Sequence, residues 1–229
     1  MATARALKMH GGVAKSALEN EDLGALTRGL ANLERHVANV RKFGLDAVVA
    51  INRFTADTDA ELSTIEEFVT RVCGARTVIC DHWARGSAGA EELARVVARM
   101  ADASPLAFRP LYPDVLPLWE KTRIIAREIY GAEDIVADAK VRAQFADLEA
   151  AGHGALPICV AKTQYSFSPD PTLLGAPSGF VAPVREIGLR AGAGFVVALM
   201  GDIRTMPGLP RVPAAERIGV VNGRIEGLF

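Results

Sequence analysis

At 229 residues the chain is long enough for one large domain or two small ones with a substantial buried core. Half of its residues are hydrophobic and 23% are charged, so it reads as a soluble globular protein rather than a disordered or fibrous one. A net charge of -1 leaves no basic excess for a nucleic-acid surface. The amino-terminal run lacks the continuous apolar core of a secretory signal and no stretch is long enough to span a bilayer, so a cytoplasmic location is expected, with neither nucleic acid nor membrane as partner. Cys73, Cys80 and Cys159 are odd in number and have no C-x-x-C spacing, which argues for buried free thiols rather than disulfides or zinc. His10, His36, His82 and His153 are scattered, so no resident metal is expected.

In chain order, Ala2 to Met9 reads as a strand ending at the glycine pair Gly11 and Gly12. Leu23, Leu26, Leu30, Leu33, Val37 and Val40 recur at spacings of three and four, predicting an amphipathic helix closed by Gly44. Val48 to Ile51 is a short apolar run without polar alternation, as in a strand buried on both faces. It leads into Asn52, Arg53 and Phe54. Thr58 and Glu61 have the spacing of a capping box, and the helix they open runs to Gly74. Thr77 to Cys80 is a second buried strand leading to His82 and Trp83, and a third helix follows from Gly89 or Ala90 to Met100.

This alternation, βαβαβα over residues 1–104, predicts an α/β fold with a doubly wound, largely parallel sheet. Ligands of such sheets bind outside the carboxyl ends of the strands. Phe54 and Trp83 each come shortly after a strand end, so right-handed crossovers put both on one edge. There they either hold a flat heterocycle between them or plug the end of the sheet.

Residues 105–229 read as a smaller α+β region. After a proline-rich loop, Ser104 to Pro117, helices are expected at Leu118 to Tyr130 and Ala137 to Ala151, and a strand at Leu156 to Ala161. That strand delivers Lys162 to Ser166 into a polar loop, where Lys162 either serves an anion or amide site or is solvated. Phe180 to Leu189 and Phe195 to Met200 are expected to pair as an antiparallel hairpin. Met206, Pro207, Gly208, Leu209 and Pro210 form a rigid loop that either shapes a site or is structural. A short hairpin around Asn222 and Gly223 closes the chain.

Several longer runs resemble one family, formate–tetrahydrofolate ligase. They are R-A-L-K-M-H-G-G at Arg5 to Gly12, V-V-A-I-N-R-F at Val48 to Phe54 with Asp57-Thr58, W-A-x-G at Trp83 to Gly86, and I-Y-G-A at Ile129 to Ala132. A-K-T-Q-Y-S-F-S at Ala161 to Ser168, V-R-E at Val184 to Glu186, A-G-A-G-F at Ala191 to Phe195, M-P-G-L-P and the terminal G-L-F follow in family order.

The resemblance implies a two-step ligation in which formate attacks the γ-phosphate of MgATP and the resulting formyl phosphate formylates N10 of tetrahydrofolate. It implies that Phe54 and Trp83 sandwich the pterin, that Ile79 walls the pocket, and that the chain corresponds to the carboxy-terminal part of a P-loop NTPase-like ligase that assembles as a homotetramer. No covalently held cofactor is implied. The family's amino-terminal half carries a phosphate-binding loop, and no G-x-x-x-x-G-K-[ST] pattern occurs in these 229 residues. Thr55 stands where a proline is common, Gly86-Ser87-Ala88-Gly89 departs from the usual glycine-rich stretch, and a further folate-pocket aromatic would lie upstream. Three expectations follow: a ligase part that works with a separate amino-terminal half, a folate-binding or interaction module without chemistry, or an inactive truncated frame. No residue is assigned as catalytic.

Overall fold

The computed structural model describes residues 1–103, 107–201, 203 and 210–227. The class is α/β, with the strands distributed over small sheets that are mostly parallel.

The first element corrects the expected strand. Ala4–His10 is a helix (α1), and only Ala2 behaves as a strand residue, bridging Ile51 in parallel. Thr3 caps α1 by accepting the Ala6 N–H at 3.1 Å, and Ala, Leu, Lys and Met all favour helix. The buried face is Ala4, Leu7 and Lys8, a helical spacing disguised in the sequence because a lysine occupies a core position.

Helix α2, Leu23–Lys42, follows the expected apolar stripe and is capped by Asp22, which accepts the Ala25 N–H. It crosses α1 with backbones in direct contact. A Cβ on Gly29 would lie 1.8 Å from the Leu7 carbonyl oxygen, and one on Gly11 would lie 1.8 Å from that of Ala25. The glycine after His10 is thus required by close approach.

Strand β1, Val48–Asn52, pairs in parallel with β2, Arg76–Cys80, in the register Ile51↔Ile79 and Asn52↔Cys80. Between them α3, Asp59–Arg71, starts at the expected capping box. Short α4, His82–Arg85, and α5, Glu91–Ala103, follow. Val49 and Ile51 pack with α1, α2 and α3, whereas Val48 and Ala50 pack with Val78, Cys80 and Val96 under α5. The strand is therefore covered on both faces, as its unbroken apolar run predicts.

Past the proline-rich stretch, α6, Leu118–Ile125, widens into a π turn over Ala126–Tyr130 and ends at left-handed Gly131. Strand β3, Asp134–Val136, was not foreseen. Helix α7, Ala139–Leu148, and strand β4, Ile158–Lys162, match their expected places. The run Phe180 to Leu189 is two strands rather than one. Its first part, β5, Val181–Pro183, pairs with β3, and its second, β6, Glu186–Arg190, pairs antiparallel with β7, Phe195–Met200. Proline at the end of β5 cannot donate to a ladder, which lets the chain change partners there. Strand β7 also pairs in parallel with β4, giving the order β4-β7-β6. A separate apolar cluster from Leu118 to Met200 fills this second part.

The closing hairpin, β8, Gly219–Val221, with β9, Arg224–Glu226, turns at Asn222 and Gly223, both at positive φ as its turn requires. Cys73 and Cys80 are buried, but Cys159 is exposed, correcting the expectation of three buried thiols. It lies on the short strand β4, where successive side chains alternate faces.

Candidate functional site

The carboxyl edge of the β1–β2 pair collects Phe54 and Trp83. The Arg53 N–H donates to the Cys80 carbonyl at 2.9 Å, which extends the ladder one step beyond β1, and Ala2 flanks β1 on the other side through Asn52 N–H to Ala2 O at 2.9 Å. The chain then leaves the sheet. Phe54 is fixed by a local loop in which its N–H donates to Asp57 Oδ2 at 2.8 Å and its carbonyl accepts the Asp57 N–H at 3.1 Å. The Arg5 guanidinium lies 5.4 Å from the Phe54 ring centroid, a cation–π distance. Trp83 sits on α4 with 60% of its surface exposed.

An exposed tryptophan at this edge adds little to the core, yet offers a large flat surface. Ile79 is also partly exposed. It lines a groove of about 580 Å³ with Glu66, Thr70, Val78, Glu92, Val96 and Arg99, a lining that includes neither Phe54 nor Trp83. It thus stands on the strand leading to Trp83 and faces the gap between α3 and α5.

Beneath the edge is a polar cluster that sequence reasoning missed. Lys8 and Glu61, both 0% exposed, form an ion pair at 2.8 Å. Lys8 also donates to the Asn20 carbonyl, and Glu61 accepts the N–H groups of Asp22 and Thr58. One carboxylate therefore ties α1, the entry to α2 and the cap of α3 together. A capping box gives the Glu61 signal, but nothing in the sequence marks Lys8 as its partner.

Two acceptors at the same edge are buried without a partner among the described residues: Asn52 Oδ1 and Asp57 Oδ1. Arg53, the cation adjacent to Asn52, pairs instead with Asp59 at 2.9 Å.

Lys162 ends β4 and turns back into its own loop, donating to the carbonyls of Thr163 and Ser166, with Nζ 4.7 Å from the Tyr130 ring centroid. Burial lowers its pKa to about 8. Beyond it, Ser166 and Ser168 bond each other and the loop backbone, and a cavity of about 410 Å³ is lined by Thr163, Ser168, Asp170, Leu173, Phe180 and Arg185. This loop is joined to the first part of the chain. Asn32 donates to Gly175 O, Arg35 to the carbonyls of Tyr130, Ala176 and Pro177, and the Gly175 N–H donates to His10 Nδ1. Met206, Pro207 and Gly208 lie outside the described residues. Among the described residues no helix is long and apolar enough to cross a membrane.

Comparison with known proteins gives a consistent result. The formate–tetrahydrofolate ligase family matches residues 1–229. The chain is 58% identical to formate–tetrahydrofolate ligase of Granulibacter bethesdensis over 230 aligned residues, covering all of this chain and 40% of the relative. Ligases of the same name from Rhizobium etli and Cereibacter sphaeroides are 57% and 56% identical, again with all of this chain and 41% of the relative covered. The chain therefore spans about 40% of the length of the curated relatives it matches, and it belongs to the formate–tetrahydrofolate ligase family.

Proposed function

We propose that this chain is the carboxy-terminal part of a formate–tetrahydrofolate ligase and supplies the pterin side of the active site. The observation that carries the reading is the placement of Phe54 and Trp83 after the paired ends of two parallel strands, with Trp83 largely exposed. Stacking on the two rings holds the pteridine, and Ile79 contributes apolar wall near the tryptophan. Lys162 and the Met206 to Pro210 loop have a site-shaping role, Lys162 through the loop carbonyls it holds.

MgATP and formate are handled by the amino-terminal part of the ligase, which this chain does not span. Phosphoryl transfer needs backbone N–H groups and cations around the developing charge, and no G-x-x-x-x-G-K-[ST] occurs in this sequence. There, a formate oxygen displaces ADP from the γ-phosphorus. Tetrahydrofolate N10 then attacks the formyl carbon, inorganic phosphate leaves, and N10 loses its proton. The β1–β2 pair belongs to a wider, doubly wound sheet of P-loop NTPase-like type that the amino-terminal part extends. Residues 1–104 form the folate-binding unit and residues 105–229 an α+β unit, a division supported by separate apolar clusters. The complete ligase is a cytoplasmic homotetramer without nucleic-acid or membrane partners.

Reconstitution tests this. The chain is mixed with the part of the Granulibacter relative that it does not span, and formate- and tetrahydrofolate-dependent ADP release is followed. Turnover only in the mixture supports the proposal. ADP release by the chain alone contradicts the division of labour. An inert mixture in which the chain still binds tetrahydrofolate favours the second reading, a folate-binding module without chemistry.

A further inference from the structure

We infer that Asp57, with Asn52 beside it, recognises the N–H donors on the pyrimidine edge of the pteridine held by Phe54 and Trp83. This rests on the folate reading above and names the polar groups that orient the ring.

Asp57 is 5% exposed. Its Oδ2 is used to fix the Phe54 N–H at 2.8 Å, whereas its Oδ1 is buried and has no hydrogen-bond partner among the described residues. Asn52 Oδ1 is in the same condition at the last residue of β1, in register with Cys80. Native proteins pair nearly all such atoms, because a buried acceptor without a donor is costly. The neighbouring cations are engaged elsewhere, Arg53 with Asp59 and Arg5 over the Phe54 ring. The two unpaired acceptors and the two aromatic residues thus share one sheet edge, and the loop that fixes Phe54 is the loop that holds Asp57.

The chemistry of the pair selects the ligand group. The unpaired oxygens of Asp57 and Asn52 are acceptors, so phosphate and formate oxygens find no donor in them. A ring carrying N–H groups is favoured, and the pterin ring has its 2-amino group next to N3–H. A carboxylate accepting from such donors makes the stronger, charge-assisted kind of hydrogen bond. Stacking on Phe54 and Trp83 supplies contact area, and Asp57 and Asn52 fix which way round the ring lies.

The test is calorimetric titration of the chain with tetrahydrofolate and with its 2-desamino-2-methyl analogue. The wild-type chain is expected to prefer tetrahydrofolate at least tenfold. Asp57→Asn keeps an oxygen for the Phe54 N–H but puts an amide donor in place of the unpaired Oδ1. It should lose at least tenfold for tetrahydrofolate and no longer distinguish the two ligands. Asn52→Leu should weaken binding, and Asn52→Asp should retain it. A folded Asp57→Asn chain with wild-type affinity and discrimination overturns the inference. So does adenosine competing as well as tetrahydrofolate. If Asp57→Asn does not fold, the wild-type comparison decides: equal affinity for both ligands removes the role of Asp57 and leaves the pocket standing. A wild-type chain that binds neither ligand overturns the folate reading itself, and this inference with it.

Discussion

Trp83 and Lys8 occupy opposite extremes of burial, and substitution should separate their roles. Trp83 is 60% exposed, so Trp83→Ala should change folding stability by no more than about 0.5 kcal/mol. If the ring stacks on pteridine, the same change weakens tetrahydrofolate binding about tenfold, the magnitude expected for a lost aromatic contact. Urea denaturation and a binding titration on one preparation check both. Lys8 is the reverse case. Lys8→Met leaves Glu61 buried with its charge unopposed, and the expected cost is about 3–5 kcal/mol by urea denaturation. A cost below about 1 kcal/mol would show that the pair is dispensable. At this scale the sequence was partly legible. The placement of Phe54 and Trp83 after two strand ends could be read because parallel strands end at a common edge. The unpaired Asp57 Oδ1 could not be read, since which of its oxygens stays unpaired depends on neighbours brought in by the tertiary fold.

Between elements, the crossing of α1 and α2 depends on two glycines. Gly29→Ala would drive a methyl group into the Leu7 carbonyl, and overpacking of this kind should cost at least about 2 kcal/mol. Gly24→Ala is the control. It lies exposed in the first turn of the same helix with only ordinary side-chain contacts around the added carbon, so it should stabilise by about 0.5–1 kcal/mol. Thermal unfolding of the two variants reads both signs. Long periodic helices such as α2, and the strand β1 covered on both faces, were legible because their apolar pattern is strong, whereas β2 was placed correctly but leaves Ile79 exposed instead of buried. Helix α1 was misread because its core position 8 is a lysine. The Phe180 to Leu189 run looked continuous because pairing with two different sheets leaves no mark in hydrophobicity, only Pro183 at the break.

Across the whole molecule, the apolar cluster under α1 to α3 and the one from Leu118 to Met200 belong to parts joined by polar contacts from α1 and α2 to the loop at residues 175–177, and one of these contacts is sensitive to acid. His10 Nδ1 accepts the Gly175 N–H and so must be unprotonated there. Burial lowers its pKa from 6.5, so the unfolded chain takes up the proton first as pH falls. The contact's contribution is present above pH 6.5 and is lost as pH falls from there through the folded-state pKa. His10→Asn keeps an acceptor in a similar place and should flatten the dependence of the thermal midpoint between pH 7 and 5.5; an unchanged slope would contradict this link. The family was legible from ordered sequence runs across the chain, whereas the arrangement into small sheets required pairing information that no single run carries. The central claim is that this chain holds the pterin. Its most direct test is a fluorescence titration with tetrahydrofolate in a Trp119→Phe background, where Trp83 is the remaining tryptophan. Saturable quenching that weakens when Phe54 is also replaced by alanine is the predicted result. Fluorescence unchanged up to millimolar tetrahydrofolate would contradict it.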